Sequence, residues 1–67
     1  MFTIQKNPIK QFRGEITVYE GNEIVNLREW YLADNGEYRP TKRGITISTK
    51  FMEELAEGIQ GLKNEVE

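Results

Sequence analysis

The sequence predicts an α+β domain in which an antiparallel β-sheet of about four strands is followed by one C-terminal α-helix, in the order β-β-β-β-α. Three observations carry this reading. Apolar residues alternate with polar ones in short segments up to Ser48, turn signals separate those segments, and beyond Ser48 the apolar period lengthens from two to about 3.6 residues. The chain of 67 residues has room for one domain, spanning 1–67.

Phe2-Thr3-Ile4 is a candidate edge strand that Pro8 would end. In Ile16-Thr17-Val18-Tyr19 the apolar Ile16 and Val18 share a face, and Gly21-Asn22 reads as a turn into the next strand, Glu23 to Tyr31. There the alternation sets Val25, Leu27, Glu29 and Tyr31 on one face and Ile24, Asn26, Arg28 and Trp30 on the other. Asp34-Asn35-Gly36-Glu37 is a second turn signal, because Asn and Gly accept the positive φ of tight turns. A short strand around Tyr38 follows, Pro40 limits its pairing, and Gly44 to Ser48 alternates again with Ile45 and Ile47 facing inward.

Phe51, Met52, Leu55, Ala56, Ile59, Leu62 and Val66 fall on one stripe of the helix, and Ser48 or Thr49 can cap it. The stripe is broader than one small sheet needs. It either roofs the sheet of its own chain or meets a second copy, and the short chain favours a homodimer with Phe51, Met52, Leu55, Ile59 and Leu62 in the interface. Gly58 and Gly61 either let two helices approach closely or fray the helix by about 1 kcal/mol each relative to Ala.

Composition removes several function classes. Without Cys or His there is no disulfide, no zinc finger, no Cys nucleophile and no histidine acid/base pair. No Gly-rich phosphate loop and no nucleophile with an adjacent base is present, so neither an enzyme nor a cofactor is expected. No apolar run reaches the length of a membrane span or of a signal peptide, and the expected setting is intracellular. The net charge of −2 is unevenly placed. Residues 1–50 carry eight basic against six acidic side chains, and residues 51–67 carry one against five. Two halves of opposite sign can put a basic face on one side of a formally acidic domain.

The segments Asn26-Leu27-Arg28-Glu29-Trp30-Tyr31 and Asn35-Gly36-Glu37-Tyr38-Arg39-Pro40-Thr41-Lys42-Arg43-Gly44-Ile45-Thr46-Ile47-Ser48 resemble the signature of the positive cofactor four family of transcriptional coactivators. That signature is an Ile-Arg-Glu-aromatic-aromatic strand, a Gly-Glu turn, a Lys-Pro-x-basic-basic-Gly-Ile-Ser-Leu stretch and a closing helix. The resemblance runs without gaps from about Gly21 to the helix, and more loosely over the first twenty residues.

The resemblance implies a curved sheet, a dimer built largely through the helices, and grooves that bind single-stranded DNA, with melted duplex or RNA as further ligands. Arg28 then matches the strand arginine of the family, Tyr19 an aromatic that stacks on a base, and Tyr31 a tryptophan of the binding surface. Arg39, Lys42 and Arg43 match the basic loop, and Gly44 the glycine after it. With Lys10, Arg13 and Trp30 they complete the candidate nucleic-acid-binding set. The family setting also implies roles in transcription regulation, replication, recombination or repair, beside transcription or replication proteins as partners.

This chain departs from the signature where Glu20 and Asn22 replace lysines flanking the hairpin glycine, and where the aromatic pair is reversed. The residues alone allow other roles. Arg39, Lys42 and Arg43 could be a solvated loop, Arg28 a cross-strand ion pair, and Tyr19, Trp30 and Tyr31 core residues. A protein-interaction module, recruiting a factor through the acidic helix and exposed sheet edges, is the competing function.

Overall fold

The computed structural model describes residues 1–66 and has four strands, β1 (Phe2–Asn7), β2 (Lys10–Tyr19), β3 (Asn22–Leu32) and β4 (Tyr38–Ser48). They form one antiparallel sheet in the order β1-β2-β3-β4, each strand beside its neighbour in sequence. A 3-10 turn, Thr49–Phe51, leads into the helix α1 (Met52–Val66).

Two of the strands run further than alternation alone indicates. β2 begins at Lys10, six residues before Ile16, because Gly14 interrupts the apolar series there. A side chain at Gly14 would collide with the ring of Phe2, which covers that position from β1. β4 is continuous through Pro40, where a break was expected. It is an edge strand, so an imide nitrogen can point away from the ladder. The strand nevertheless carries an irregularity, since Thr41, Lys42 and Arg43 together stand opposite Glu29 alone.

The first long hairpin turns on Glu20 and Gly21, one residue earlier than the sequence signal, with Tyr19 and Asn22 closing the ladder. Both central residues have positive φ, 51° at Glu20 and 78° at Gly21, which is the conformation a two-residue hairpin loop demands. At the second turn Gly36 has a φ of 85°, and Asn35 Oδ1 accepts from the Glu37 amide at 3.0 Å.

The end of the sheet fixes the start of the helix. Ser48 Oγ accepts from the Lys50 amide at 3.4 Å, and Thr49 Oγ1 donates to Glu23 on β3. Beyond that point α1 does not roof the sheet: none of its described residues is buried, and Ile59 and Leu62 are more than half exposed.

The two faces of the sheet differ in kind. Residues opposite each other in the ladder share a face. One face carries the rows Phe2–Gly14–Leu27–Ile45, Ile4–Phe12–Glu29 and Ile16–Val25–Ile47. It is apolar and largely open. Val25 is its one buried hydrophobic side chain among the described residues, while Phe2, Ile4, Phe12, Ile16 and Ile45 remain exposed. The other face carries the rows Gln5–Gln11–Trp30–Pro40, Thr3–Arg13–Arg28–Gly44 and Glu15–Asn26–Thr46, and it is polar.

The hairpin loop yields a direct test. A non-glycine residue at positive φ costs about 1–2 kcal/mol unless it is Asn or Asp. Glu20→Asn should therefore raise stability by about 1 kcal/mol, seen as a higher melting midpoint at fixed protein concentration. A lower midpoint would mean that Glu20 holds the loop by some other interaction.

Candidate nucleic-acid interface

On the polar face the central group is Arg13. Its guanidinium lies over the ring of Trp30, 4.2 Å from the centroid, and 5.4 Å from that of Tyr38. Its Nε donates to Gln11 Oε1 at 3.1 Å, Gln11 Nε2 donates to Gln5 Oε1 at 2.7 Å, and Gln5 Nε2 lies 3.2 Å from the Tyr38 hydroxyl. These contacts fix the cation, two aromatic rings and two amides in one arrangement across all four strands.

Arg28 stands directly opposite Arg13 in the ladder. Like charges in that position repel. The structure offsets the repulsion from both sides, Arg13 against the aromatic rings and Arg28 by donating from Nη1 to the Thr41 carbonyl at 2.7 Å. Among the described residues no carboxylate pairs with Arg28, so the ion pair that could have explained it is not formed. An anion is the natural third member of such a pair of cations.

The same Arg28 bond shapes the basic loop. Thr41 Oγ1 donates to the Glu29 carbonyl at 2.8 Å and accepts from the Arg43 amide at 3.1 Å. Gly44 completes the turn back into the ladder, since a Cβ there would come within 2.6 Å of the Leu27 carbonyl oxygen. Lys42 and Arg43 are thus presented, both exposed, from a braced bulge.

The candidate residues do not all share one surface. Arg13, Arg28 and Trp30 cluster on the polar face, and Tyr19 lies on the same face at the hairpin end. Tyr19 and Trp30 are eight residues apart along the β2–β3 pairing, which at the usual strand rise is about 27 Å. A ligand touching both must run along the strands. Lys10, Tyr31 and Arg39 form a single row at the end of the opposite face, an aromatic ring between two cations. Arg43 also faces that side, lining a groove of about 600 Å³ with Phe2, Ile4, Phe12, Leu27 and Ile45. Phe51 is exposed on the 3-10 turn, Met52, Ile59 and Leu62 are exposed on α1, and Leu55 is half-buried.

Tyr38, Gln5 and Gln11 escaped the sequence reading. Tyr38 was legible only as the start of a strand, and nothing in the sequence pairs Gln5 with Gln11 without the register of β1 on β2.

Glu29 is the one buried charged residue among those described, 2% exposed, beneath the lysines of β1 and β2. Its Oε1 lies 3.5 Å from the ammonium groups of both Lys6 and Lys10. Burial pushes the carboxyl up, but the two ammonium charges and their hydrogen bonds pull it further down, leaving it below the ordinary glutamate value. Lys10 is therefore partly committed within the fold.

These features define a class: a small two-faced sheet with a trailing amphipathic helix, whose polar face joins arginines to aromatic rings. A family model for transcriptional coactivator p15 (PC4) matches residues 6–58, and the chain belongs to that family. The fold is that of a PC4 homolog from Burkholderia pseudomallei, with a TM-score of 0.91 and 23% identity over 97% of this chain and 88% of the other. A second crystal form of that homolog gives 0.79 and 28% identity over 100% and 94%. The bacteriophage T5 homolog of the eukaryotic coactivator, implicated in recombination-dependent DNA replication, gives 0.78 and 22% over 97% and 76%. No curated protein sequence matches the chain. Among the described residues no group of three or more Asp or Glu side chains could hold a metal, and no helix is long and apolar enough to cross a membrane.

The lysine–glutamate staple sets an acid limit. Because the Glu29 pKa is lowered by folding, its contribution is complete above the ordinary value of 4.5 and is lost as pH falls through the lowered one. Acid denaturation followed by circular dichroism should show a loss of stability below pH 4.5 that is shallower in Glu29→Gln, a variant already weaker at neutral pH. Identical acid limbs in both proteins would remove Glu29 from the cause.

Proposed function

We propose that this domain binds single-stranded DNA with little regard to sequence and does so as a homodimer. The observation that carries the reading is the polar face, where two directly opposed arginines lie beside Trp30, Tyr38 and, further along, Tyr19. Single strands are held by cations that follow phosphates and by rings on which bases stack, and no base-specific donor set is needed. The Lys10–Tyr31–Arg39 row and the Lys42–Arg43 bulge extend the cationic surface around the end of the sheet.

The second subunit follows from what the chain leaves uncovered. A sheet with one buried apolar side chain among the described residues and a helix whose apolar stripe is exposed have no closed core. Both surfaces are covered if two copies pair through α1 and the apolar face. Membership of a coactivator family supports a role in transcription, and the resemblance to the phage T5 homolog supports one in recombination or replication.

The dimer is checked by light scattering at micromolar concentration. The expected mass is that of two chains, and Leu55→Asp or Ile59→Asp should reduce it and largely unfold the protein. A single-chain mass for the unaltered protein would overturn the assembly.

Binding is checked by anisotropy titration of labelled oligonucleotides over a range of salt. The logarithm of the binding constant should fall with the logarithm of salt by about 0.7 per phosphate contacted. Changing Lys42 and Arg43 together to Ala should weaken binding to all sequences alike and flatten that slope, with little change in melting because both side chains are exposed. An unchanged slope and affinity would leave the bulge a solvated loop, and the exposed acidic face of α1 would then favour the protein-recruiting module.

A further inference from the structure

We infer that Arg13 is itself a base-stacking platform, and that the Trp30–Tyr38 pair serves to hold its guanidinium in place for a nucleobase. The inference rests on the single-strand reading above and names the group that distinguishes bases from bare backbone. Three observations carry it. The guanidinium lies over Trp30 at 4.2 Å and close to Tyr38, so one of its sides is already occupied by aromatic surface. Its Nε is held by Gln11, which is held in turn by Gln5, so its orientation is set before any ligand arrives. Its terminal nitrogens donate to no group among the described residues, although the side chain is half-buried and faces Arg28 directly across the ladder.

A guanidinium is planar and weakly hydrated, so it stacks on a base with its face while its edge donates to phosphate. Ordering a long side chain normally opposes binding, and here that ordering is complete in the free protein. On the side of Trp30 that Arg13 covers, an incoming base meets the guanidinium before the ring. A lysine at the same place would keep the charge and lose the plane.

Arg13→Lys therefore separates the two roles. The protein and the variant are titrated with a single-stranded oligothymidylate and with an abasic strand of the same length and label. The expected result is a loss of about five- to tenfold on oligothymidylate, at the low end of what one stacked base contributes, with affinity for the abasic strand within about twofold of the original. Gln11→Leu keeps Arg13 but frees its Nε, and it should show the same base-dependent loss at about half that size or less. Equal affinity of the protein and Arg13→Lys for both strands would overturn the inference, since charge alone would then suffice. An equal loss on both strands would also overturn it, by making Arg13 a phosphate anchor. Should the unaltered protein bind neither strand, the single-strand function itself would fall, a result distinct from either of these.

Discussion

The whole arrangement depends on one unmet requirement: an apolar sheet face that its own helix does not cover. In a chain of this length the buried surface is small at best. Here the helix, pinned at Ser48 and Thr49, leaves the sheet without laying its stripe across it. Phe2, Ile4, Phe12, Ile16 and Ile45 on the sheet and Ile59 and Leu62 on the helix stay exposed. Gly58 and Gly61 fit the same account, since a Cβ at either meets nothing within 4 Å in this chain. In the proposed dimer, committing one face to a second subunit is also what leaves the other face free to be polar.

The strand register converts that division into a site. Alternation alone was enough to assign the two faces of β3, and the structure keeps the assignment: Val25, Leu27 and Glu29 lie on one side and Asn26, Arg28 and Trp30 on the other. What alternation could not supply was the partner of each residue across the ladder. Arg13 opposite Arg28, and Gln11 opposite Trp30, are consequences of where the hairpin turns, at Glu20 and Gly21. Moving that two-residue turn on by one residue would shift the pairing by two positions, keeping each side chain on its face but changing its partner across the ladder. The sequence signal placed the turn one residue late, and a register built on it would have set Arg13 opposite Trp30 and Glu15 opposite Arg28, an ion pair in place of the two opposed arginines.

The basic loop shows the opposite case, where a motif was legible and its mechanics were not. Arg39, Pro40, Lys42, Arg43 and Gly44 stood out by their spacing, but the pattern does not explain why an arginine on β3 belongs with them. The structure supplies the link: Arg28 bonds the Thr41 carbonyl, Thr41 bonds the Glu29 carbonyl, and Gly44 is required by the closeness of the Leu27 carbonyl. Arg28 is therefore a brace of the bulge as well as a cation of the polar face. The continuous β4 was hidden for a related reason, since Pro40 argues against a strand only where both edges must pair.

The cations of this domain can be ranked by how far the fold has already engaged them. Lys6 and Lys10 share the buried carboxylate of Glu29, and each has part of its charge offset before a ligand arrives. Arg28 donates to a backbone carbonyl, which orients it and leaves its charge uncompensated. Arg13 is oriented by aromatic rings and a neutral amide, again with no counter-charge. Lys42 and Arg43 are exposed, and their side chains have the most freedom to lose on binding. An acidic protein can therefore still present a cationic surface. Five of its eleven carboxylates lie in residues 51–67 against one lysine, one more is spent on the lysine staple, and the two arginines at the centre of the polar face are held in place without a carboxylate partner.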